Sequence, residues 1–279
     1  MNMVAYLKLM RFHKPVGIAL LWLPTAWALW LANNAHPPAK LVMLFLLGTI
    51  FMRAAGCVVN DIADRNIDKH VKRTSMRPLT SGQIGLRAAT VLLIVLLMAA
   101  CLIVLQLPIA CFYYALLALP VTLIYPFCKR FFQAPQLMLG IAFSMSIPMV
   151  YSASGKSVDF NMALLMLICL LWTMSYDTMY AMVDRDDDLK IGVKSTAVLL
   201  AEFDSLALLL LQGIFHTLWL ALAYQAKFTV WFFGFWFIAG LWLIYQQKLV
   251  KSREREACFK AFNLNIGYGT LMWIALMAH

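Results

Sequence analysis

Two short runs hold most of the side chains in this sequence that can do acid or metal chemistry. They are Asn60-Asp61-Ile62-Ala63-Asp64-Arg65-Asn66-Ile67-Asp68 and Asp177-Thr178-Met179-Tyr180-Ala181-Met182-Val183-Asp184-Arg185-Asp186-Asp187-Asp188. Eight of the chain's 13 acidic residues fall within them, although most of the surrounding sequence is apolar enough for lipid. Carboxylates a few ångströms apart raise one another's pKa, and burial beside a membrane disfavours ionisation further, so acids this crowded need a cation between them. A divalent metal is the natural candidate.

Helical geometry gives each run a direction. Asp177, Asp184 and Asp188 fall within roughly 40° of one another on a helix, as do Arg53, Asn60 and Asp64, so each run aims oxygens along one stripe. Asp61 and Asp68 make a neighbouring stripe if the first helix continues that far. A single such run would read as a solvated, acidic helix end. Two runs at matching places in the chain favour a shared site.

The elements that must hold these runs are membrane helices. The chain has 279 residues, 63% apolar and 13% charged, with a mean hydropathy of +0.79, which excludes a soluble domain with one core. A helix needs about 20 mostly apolar residues to cross a bilayer, and about nine stretches qualify: 16–32, 41–59, 88–107, 109–128, 135–153, 160–183, 206–226, 228–246 and 259–278. The fold expected is all-α and polytopic, with about nine transmembrane helices around a central cavity. The linkers are too short for a second unit, so residues 1–279 are expected to form one domain.

Lys and Arg set the orientation. Alternate connections carry 19 of the 23 basic residues, the opposite side carries Lys40, Lys156 and Lys227, and Arg53 lies inside a span. The N-terminus is therefore expected in the cytoplasm and the C-terminus outside, with both acidic runs at the cytoplasmic face. The net charge of +10 reflects this topology and contact with anionic lipid or phosphate. Basic residues spread over membrane loops do not suit nucleic acid.

Other features carry less. Cys57, Cys101, Cys111, Cys128, Cys169 and Cys258 show no paired spacing, so neither disulfides nor a cysteine metal site is expected. The basic start and apolar run of residues 1–31 read as a retained first span, because Ala32-Asn33-Asn34-Ala35-His36-Pro37-Pro38 is a weak cleavage site. His216 and the Trp and Phe cluster at 231–237 read as packing, and Pro24, Pro108, Pro120 and Pro148 as tolerated kinks. Residues 64–75 align with 184–195 at an offset of 120, with four of twelve positions identical. Each copy opens a basic cytoplasmic loop, which implies two pseudo-repeated halves whose half-sites face one cavity.

Carboxylates and a diphosphate are both anionic and do not bind directly. Mg²⁺ prefers oxygen ligands and bridges one or two carboxylates to substrate phosphates, while Lys and Arg neutralise the remainder. Lys69, Lys72, Arg73 and Arg77 come after the first run and Lys190 and Lys194 after the second. An apolar cavity capped by such a head suits a prenyl diphosphate.

At these residues the chain resembles a known family. Asn60-Asp61-x-x-Asp64-x-x-x-Asp68 and Tyr176-Asp177-x-x-Tyr180-x-x-x-Asp184-x-x-x-Asp188 are similar to the motifs of the UbiA superfamily of intramembrane prenyltransferases. The similarity runs nearly end to end. Met52-Arg53-Ala54-Ala55-Gly56-Cys57-Val58-Val59-Asn60-Asp61, Arg77-Pro78-Leu79, Tyr125-Pro126-x-x-Lys129-Arg130, Ile191-Gly192-Val193-Lys194-Ser195-Thr196 and Arg253-Glu254-Arg255-Glu256 resemble the bacterial 4-hydroxybenzoate polyprenyltransferases of ubiquinone biosynthesis. His13 stands where many relatives carry an acid, and Met145 where some have Trp.

The resemblance implies nine transmembrane helices, Mg²⁺ dependence, a bacterial inner-membrane location, and transfer of a long prenyl chain from polyprenyl diphosphate to the ring carbon ortho to the phenol hydroxyl of 4-hydroxybenzoate. It also admits contacts with other enzymes of quinone biosynthesis. The metal ligands expected are Asn60, Asp61, Asp64, Asp68, Asp177, Asp184 and Asp188. Substrate contacts are expected from Arg53, Arg65, Lys69, Lys72, Arg73, Arg77, Tyr125, Lys129, Arg130, Lys190 and Lys194, and catalytic roles from Asp64, Asp184, Arg130 and Tyr180. Tyr125 and Tyr180 are candidates to stabilise an allyl cation through their aromatic faces. Arg53 either meets the acceptor's carboxylate or pairs with Asp64 or Asp184, and Lys129 and Arg130 hold the benzoate or the diphosphate. Competing readings are a relative with another acceptor (homogentisate, a naphthoate or haem) and, from a different class, an ion-coupled transporter. Transporter sites usually lie near the bilayer midplane on broken helices, whereas these acids are expected at cytoplasmic helix ends.

Overall fold

A computed structural model describes residues 3–70 and 74–278. Among them every regular element is helical. In chain order the α-helices are α1 (Met3–Leu9), α2 (Val16–Ala32), α3 (Ala39–Asp64), α4 (Leu86–Val104), α5 (Ile109–Cys128), α6 (Pro135–Ser144), α7 (Ser146–Ala153), α8 (Phe160–Ile191), α9 (Thr196–Leu200), α10 (Asp204–Ala226), α11 (Val230–Val250) and α12 (Arg255–Met277). Seven helical segments among the described residues are long and apolar enough to cross a membrane: Ala39–Asp64, Leu86–Val104, Ile109–Cys128, Pro135–Ala153, Phe160–Ile191, Thr196–Ala226 and Val230–Val250. Helix α2 is equally apolar but only 17 residues long, and Lys260, Asn263 and Asn265 dilute the apolar run of α12.

The expected spans and the observed helices differ where hydropathy is blind. Helices α3 and α8 do not stop with their apolar runs but continue to Asp64 and Ile191, carrying acidic residues outward on regular helix. Gly192, at φ +74°, ends α8 in the left-handed conformation that glycine adopts without strain. The span expected over 135–153 is two helices that break at Met145. Pro148 lacks the N–H that would bond the Ser144 carbonyl, and its ring crowds that carbonyl, so the helix cannot run through without distortion.

Tryptophans hold the centre. Trp27, Trp172 and Trp219 are fully buried. Trp27 Nε1 donates to the Gly269 carbonyl at 2.9 Å and Trp172 Nε1 to Asn265 Oδ1 at 3.1 Å. Trp27 also meets Trp219 edge-on at 5.2 Å. With no apolar driving force between helices in lipid, such satisfied polar groups and close ring packing fasten α2, α8, α10 and α12 together. Val91, Ile94, Leu102, Leu117, Leu209 and Phe237, by contrast, are exposed on helix surfaces, where lipid is their solvent.

Candidate active site

Two helix ends meet, the last turns of α3 and the end of α5 with Lys129 and Arg130, and the middle of α8 brings Asp177 into electrostatic reach of Lys129. Asp61 and Asp64 are both buried in the final turns of α3. Asp61 Oδ1 accepts from Arg11 Nη2 at 2.7 Å and from Arg77 Nη1 at 3.1 Å, and the same Arg77 nitrogen reaches Asp68 Oδ2 at 2.7 Å. The helix stops at Asp64, so Asp61 and Asp68 share no helical stripe. They meet instead through Arg77, with Asp68 opening a single 3₁₀ turn over Asp68–His70. Burial pushes the Asp68 carboxyl above its ordinary range; Arg77 opposes the rise, and Asp64 and Asp61 add to it.

Asp64 points elsewhere. Lys129 Nζ lies 3.3 Å from its Oδ2, and its Oδ1 is buried without a hydrogen-bond partner. Lys129 also acts electrostatically on Asp177 of the second run, so one ammonium is coupled to both motifs. Arg130 turns away: its Nη2 donates to the Ala63 carbonyl at 2.7 Å, satisfying an otherwise open carbonyl at the end of α3, while its guanidinium lies 5.2 Å from the Phe127 ring centre.

On α8, Asp177, Asp184 and Asp188 share one face and are each half-buried. The intervening residues are tied elsewhere, Arg185 to Asp204 at 3.1 Å and Asp186 and Asp187 to Arg255 at 3.3 Å each. Beneath them Thr178 and Thr196 are hydrogen-bonded at 2.6 Å, and the Thr196 amide donates to Gln136 at 3.0 Å, joining α8, α9 and α6.

A cavity of ≈290 Å³ leads inward from these ends, walled by apolar residues of α2–α7, among them Leu44, Phe45, Leu97 and Leu119. Arg53, Asn60 and Tyr125 are among its polar lining, with Thr25, Thr49, Thr122 and Ser146, and Met145 lines it at the break between α6 and α7. Arg53 is accommodated by Gly17: a Cβ there would collide with the guanidinium, so no larger residue fits without displacing it. Its Nε is buried without a hydrogen-bond partner. Tyr180 packs on Phe262 with ring centres 4.7 Å apart.

Of the residues expected to contact substrate, Arg53 and Tyr125 therefore line the cavity with Asn60, and Lys129 pairs with Asp64. Lys194 links two loops instead, its amide donating to the Lys129 carbonyl at 2.9 Å and its Nζ to the Phe131 carbonyl at 3.1 Å. Arg65, Lys69 and Lys190 are exposed, and Lys72 and Arg73 lie outside the described residues. Sequence reasoning passed over Arg11 and Asp204. An excess of buried acids over nearby bases would have pointed to the first; nothing local marks the second.

Among the described residues no three acidic, histidine or cysteine side chains stand close enough to hold one metal ion in common. The donor set still fits a hard divalent cation. It is made of oxygens, and the buried, unpartnered Oδ1 of Asp64 is an atom that a cation would satisfy. Lys129 supplies counter-charge to Asp64 at 3.3 Å.

Among the described residues the protein is all-helical, with an apolar cavity that reaches Asn60 of the first acidic motif and Arg53 and Tyr125 beside it, an arrangement that suits the intramembrane enzymes that handle an apolar substrate with an anionic head. The UbiA prenyltransferase family model matches residues 21–274, and the chain belongs to that family as a multi-pass membrane protein. It is 54% identical over 272 residues to the 4-hydroxybenzoate octaprenyltransferase of Legionella pneumophila (strain Lens), covering 98% of this chain and 96% of the relative. The protein of the same description from Serratia proteamaculans is 46% identical, with coverages of 98% and 94%. The fold is similar to that of a UbiA homolog from Aeropyrum pernix K1, with a TM-score of 0.81, 24% identity, and coverages of 92% and 96%. It is also similar to a UbiA homolog from Archaeoglobus fulgidus bound to DMAPP and Mg²⁺, with a TM-score of 0.73, 20% identity, and coverages of 96% and 98%.

Proposed function

We propose that this chain transfers a long prenyl group from polyprenyl diphosphate to the ring carbon ortho to the hydroxyl of 4-hydroxybenzoate, in ubiquinone biosynthesis and with Mg²⁺. The observation that carries the reading is the contact of Lys129 with Asp64, coupled electrostatically to Asp177, beside an apolar cavity whose lining includes Arg53, Asn60 and Tyr125. The names of relatives about half identical over nearly the whole chain supply the acceptor.

Residues 1–279 act in this reading as one domain of nine spans in two pseudo-repeated halves, with the N-terminus in the cytoplasm, the C-terminus in the periplasm, and both motifs at the cytoplasmic face of the inner membrane. Mg²⁺ would be held by Asn60 and Asp64 on one side and Asp177, Asp184 and Asp188 on the other. Asp61 and Asp68 join only on exchanging their arginine partners. When bound, the metal supplies Lewis-acid neutralisation of the diphosphate leaving group. Lys129 adds charge to the same oxygens, and the loop bases Arg65, Lys69, Lys72, Arg73, Arg77, Lys190 and Lys194 draw the anionic head to the cytoplasmic end.

The allylic carbon–oxygen bond breaks with its electron pair leaving on the diphosphate. Tyr125 and Tyr180 present ring faces to the allyl cation, and the apolar wall excludes water from it. The phenol ring attacks through its ortho carbon, and the proton lost from that carbon goes to an aspartate of the motifs or to the departing diphosphate. Arg53 receives the acceptor's carboxylate: a cation deep in an apolar cavity needs an anionic partner, and its Nε has an open donor. Arg130 secures the end of α3, where it also lies within reach of the head group's loops.

The test uses membranes containing the protein, a panel of prenyl diphosphates and aromatic acceptors, and mass spectrometry of the products. Prenylated 4-hydroxybenzoate should form, its formation should stop in excess chelator, and added Mg²⁺ should restore it. Undiminished product in excess chelator would discard the metal-bridged reading, and product only from another acceptor would move the chain to a different branch of the family.

A further inference from the structure

Helix α8 is 32 residues long, roughly 48 Å at 1.5 Å per residue, whereas the hydrocarbon core of a bilayer is about 30 Å thick. Its outer turns, which carry Asp184 and Asp188, therefore stand beyond the hydrocarbon core; the turn before them packs through Ala181, Met182 and Val183 on Leu208, Val250, Cys258 and Ala261, and past that cluster a polar tie is what holds the helix to its neighbours. Asp204 is fully buried at the start of α10. Its Oδ2 takes Arg185 Nη1 at 3.1 Å. Its Oδ1 takes Arg253 Nη2 at 2.8 Å, Arg253 Nε at 3.0 Å and the Ser205 amide at 2.6 Å. Arg253 sits at φ +56° in the loop between α11 and α12 and also donates to the Glu202 carbonyl. A buried carboxylate with both oxygens taken by arginines from two other segments is a stiff three-way joint.

We propose that Asp204, acting through Arg185, is a positioning residue that sets the rotation of the outer end of α8 and so aims Asp184 and Asp188 at the cavity. Arg185 is one residue beyond Asp184, about 100° around the helix, so a tie that fixes Arg185 fixes the acidic stripe. Arg255, the first residue of α12, pairs with Asp186 and Asp187 and steadies the same turns, but its own side chain is 44% exposed, where ion pairs hold weakly. Asp204 touches neither substrate nor metal. Its role rests on the metal-bridged function above, because an aim matters only if Asp184 and Asp188 bind an ion.

The measurement is Mn²⁺ binding to the purified full-length protein with inorganic diphosphate present, monitored by electron paramagnetic resonance, beside the thermal-unfolding midpoint and two-substrate kinetics. Arg185→Gln cuts the tie on α8 yet leaves the Asp204–Arg253 pair closed, so it should fold. It should weaken Mn²⁺ binding about tenfold, the size found when an outer partner of a metal ligand is lost. The acceptor KM and the midpoint should hold, and Arg185→Lys should recover most of the binding. Asp204→Asn should act in the same direction or fail to fold, and in the latter case Arg185→Gln decides. Wild-type Mn²⁺ affinity in folded Arg185→Gln would overturn the proposal. Absence of Mn²⁺ binding in the wild-type protein itself would overturn the metal-bridged function and this role with it. Binding that is lost in Asp64→Asn but kept in Arg185→Gln would leave the function standing and the positioning role refuted.

Discussion

The two acidic motifs are built by different constructions. The first lies where α3 ends, so its acids are divided between a helix and the loop beyond it. Asp61 and Asp68 turn to Arg11 and Arg77, and Asp64 turns to Lys129. The second lies on α8 without interruption, so its acids keep one register: Asp177, Asp184 and Asp188 along one face, and Asp186 and Asp187 held from outside by Arg255. Asp61 is 0% exposed and Asp186 72%. The first motif is thus an anchor whose charge is balanced within the fold, and the second a rod whose aim is set from its outer side. Similar acidic spacing in sequence does not make equivalent halves of a site.

The largest effects should come where the halves meet. Asp64→Asn and Asp184→Asn keep shape and each remove one ligand charge, so both should lower turnover by about 10²–10³-fold, as loss of a transition-state electrostatic partner does. The free protein adds a second readout: Asp64→Asn also removes the partner of Lys129 and should shift the unfolding midpoint. Near-normal turnover in both variants would leave the diphosphate mechanism without support and return the transporter reading to consideration.

Next is the anchor itself. Asp61→Ala strands Arg11 and Arg77 beside a buried gap, and removing one partner of a buried ion pair costs about 3–5 kcal/mol. The thermal-unfolding midpoint, taken at one scan rate in one detergent, should fall far more for Asp61→Ala than for Asp186→Ala. An unchanged midpoint with abolished turnover would instead make Asp61 a metal ligand like Asp64 and erase the contrast between the motifs.

Legibility in the sequence divides along the same line. Hydropathy located the apolar helices because lipid demands apolar length: 16–32 and 109–128 coincide with α2 and α5. It missed the outward extensions of α3 and α8, because a helix leaving the membrane keeps its hydrogen bonds while its composition turns polar. The stripe of Asp177, Asp184 and Asp188 was readable because α8 is regular throughout. The partition of Asp61 and Asp68 from Asp64 was not, since it depends on where α3 stops and on Arg11, which is 50 residues from Asp61. Asp204 was invisible for the same reason: its partners come from two other parts of the chain.

A smaller effect separates the two cations assigned to the acceptor. If Arg53 meets the carboxylate inside the cavity, Arg53→Ala should raise the acceptor KM by the equivalent of about 1.5–3 kcal/mol with the donor KM little changed, because the contact is missing from ground and transition states alike. Arg130→Ala should leave the acceptor KM in place and lower turnover modestly, since its guanidinium is bonded to the Ala63 carbonyl beside Asp64. The reverse pattern would assign the carboxylate to Arg130 and leave Arg53 as a partner of the acids.

The smallest expected effect tests the claim that the outer face of α8 is held mainly by its buried joint. Arg255 reaches Asp186 and Asp187 at 3.3 Å each, but its side chain is 44% exposed. Pairs so open to water are worth about 0–1 kcal/mol, because solvent screens the charges and two long side chains lose freedom in meeting. Arg255→Ala should therefore shift the unfolding midpoint by no more than such a pair allows and leave turnover within a few-fold of normal, and added salt should shrink even that difference. A loss of activity as large as that of Asp184→Asn, with the midpoint unmoved, would show that Asp186 and Asp187 share in the chemistry. The second motif would then be steered at every turn rather than through Arg185 alone.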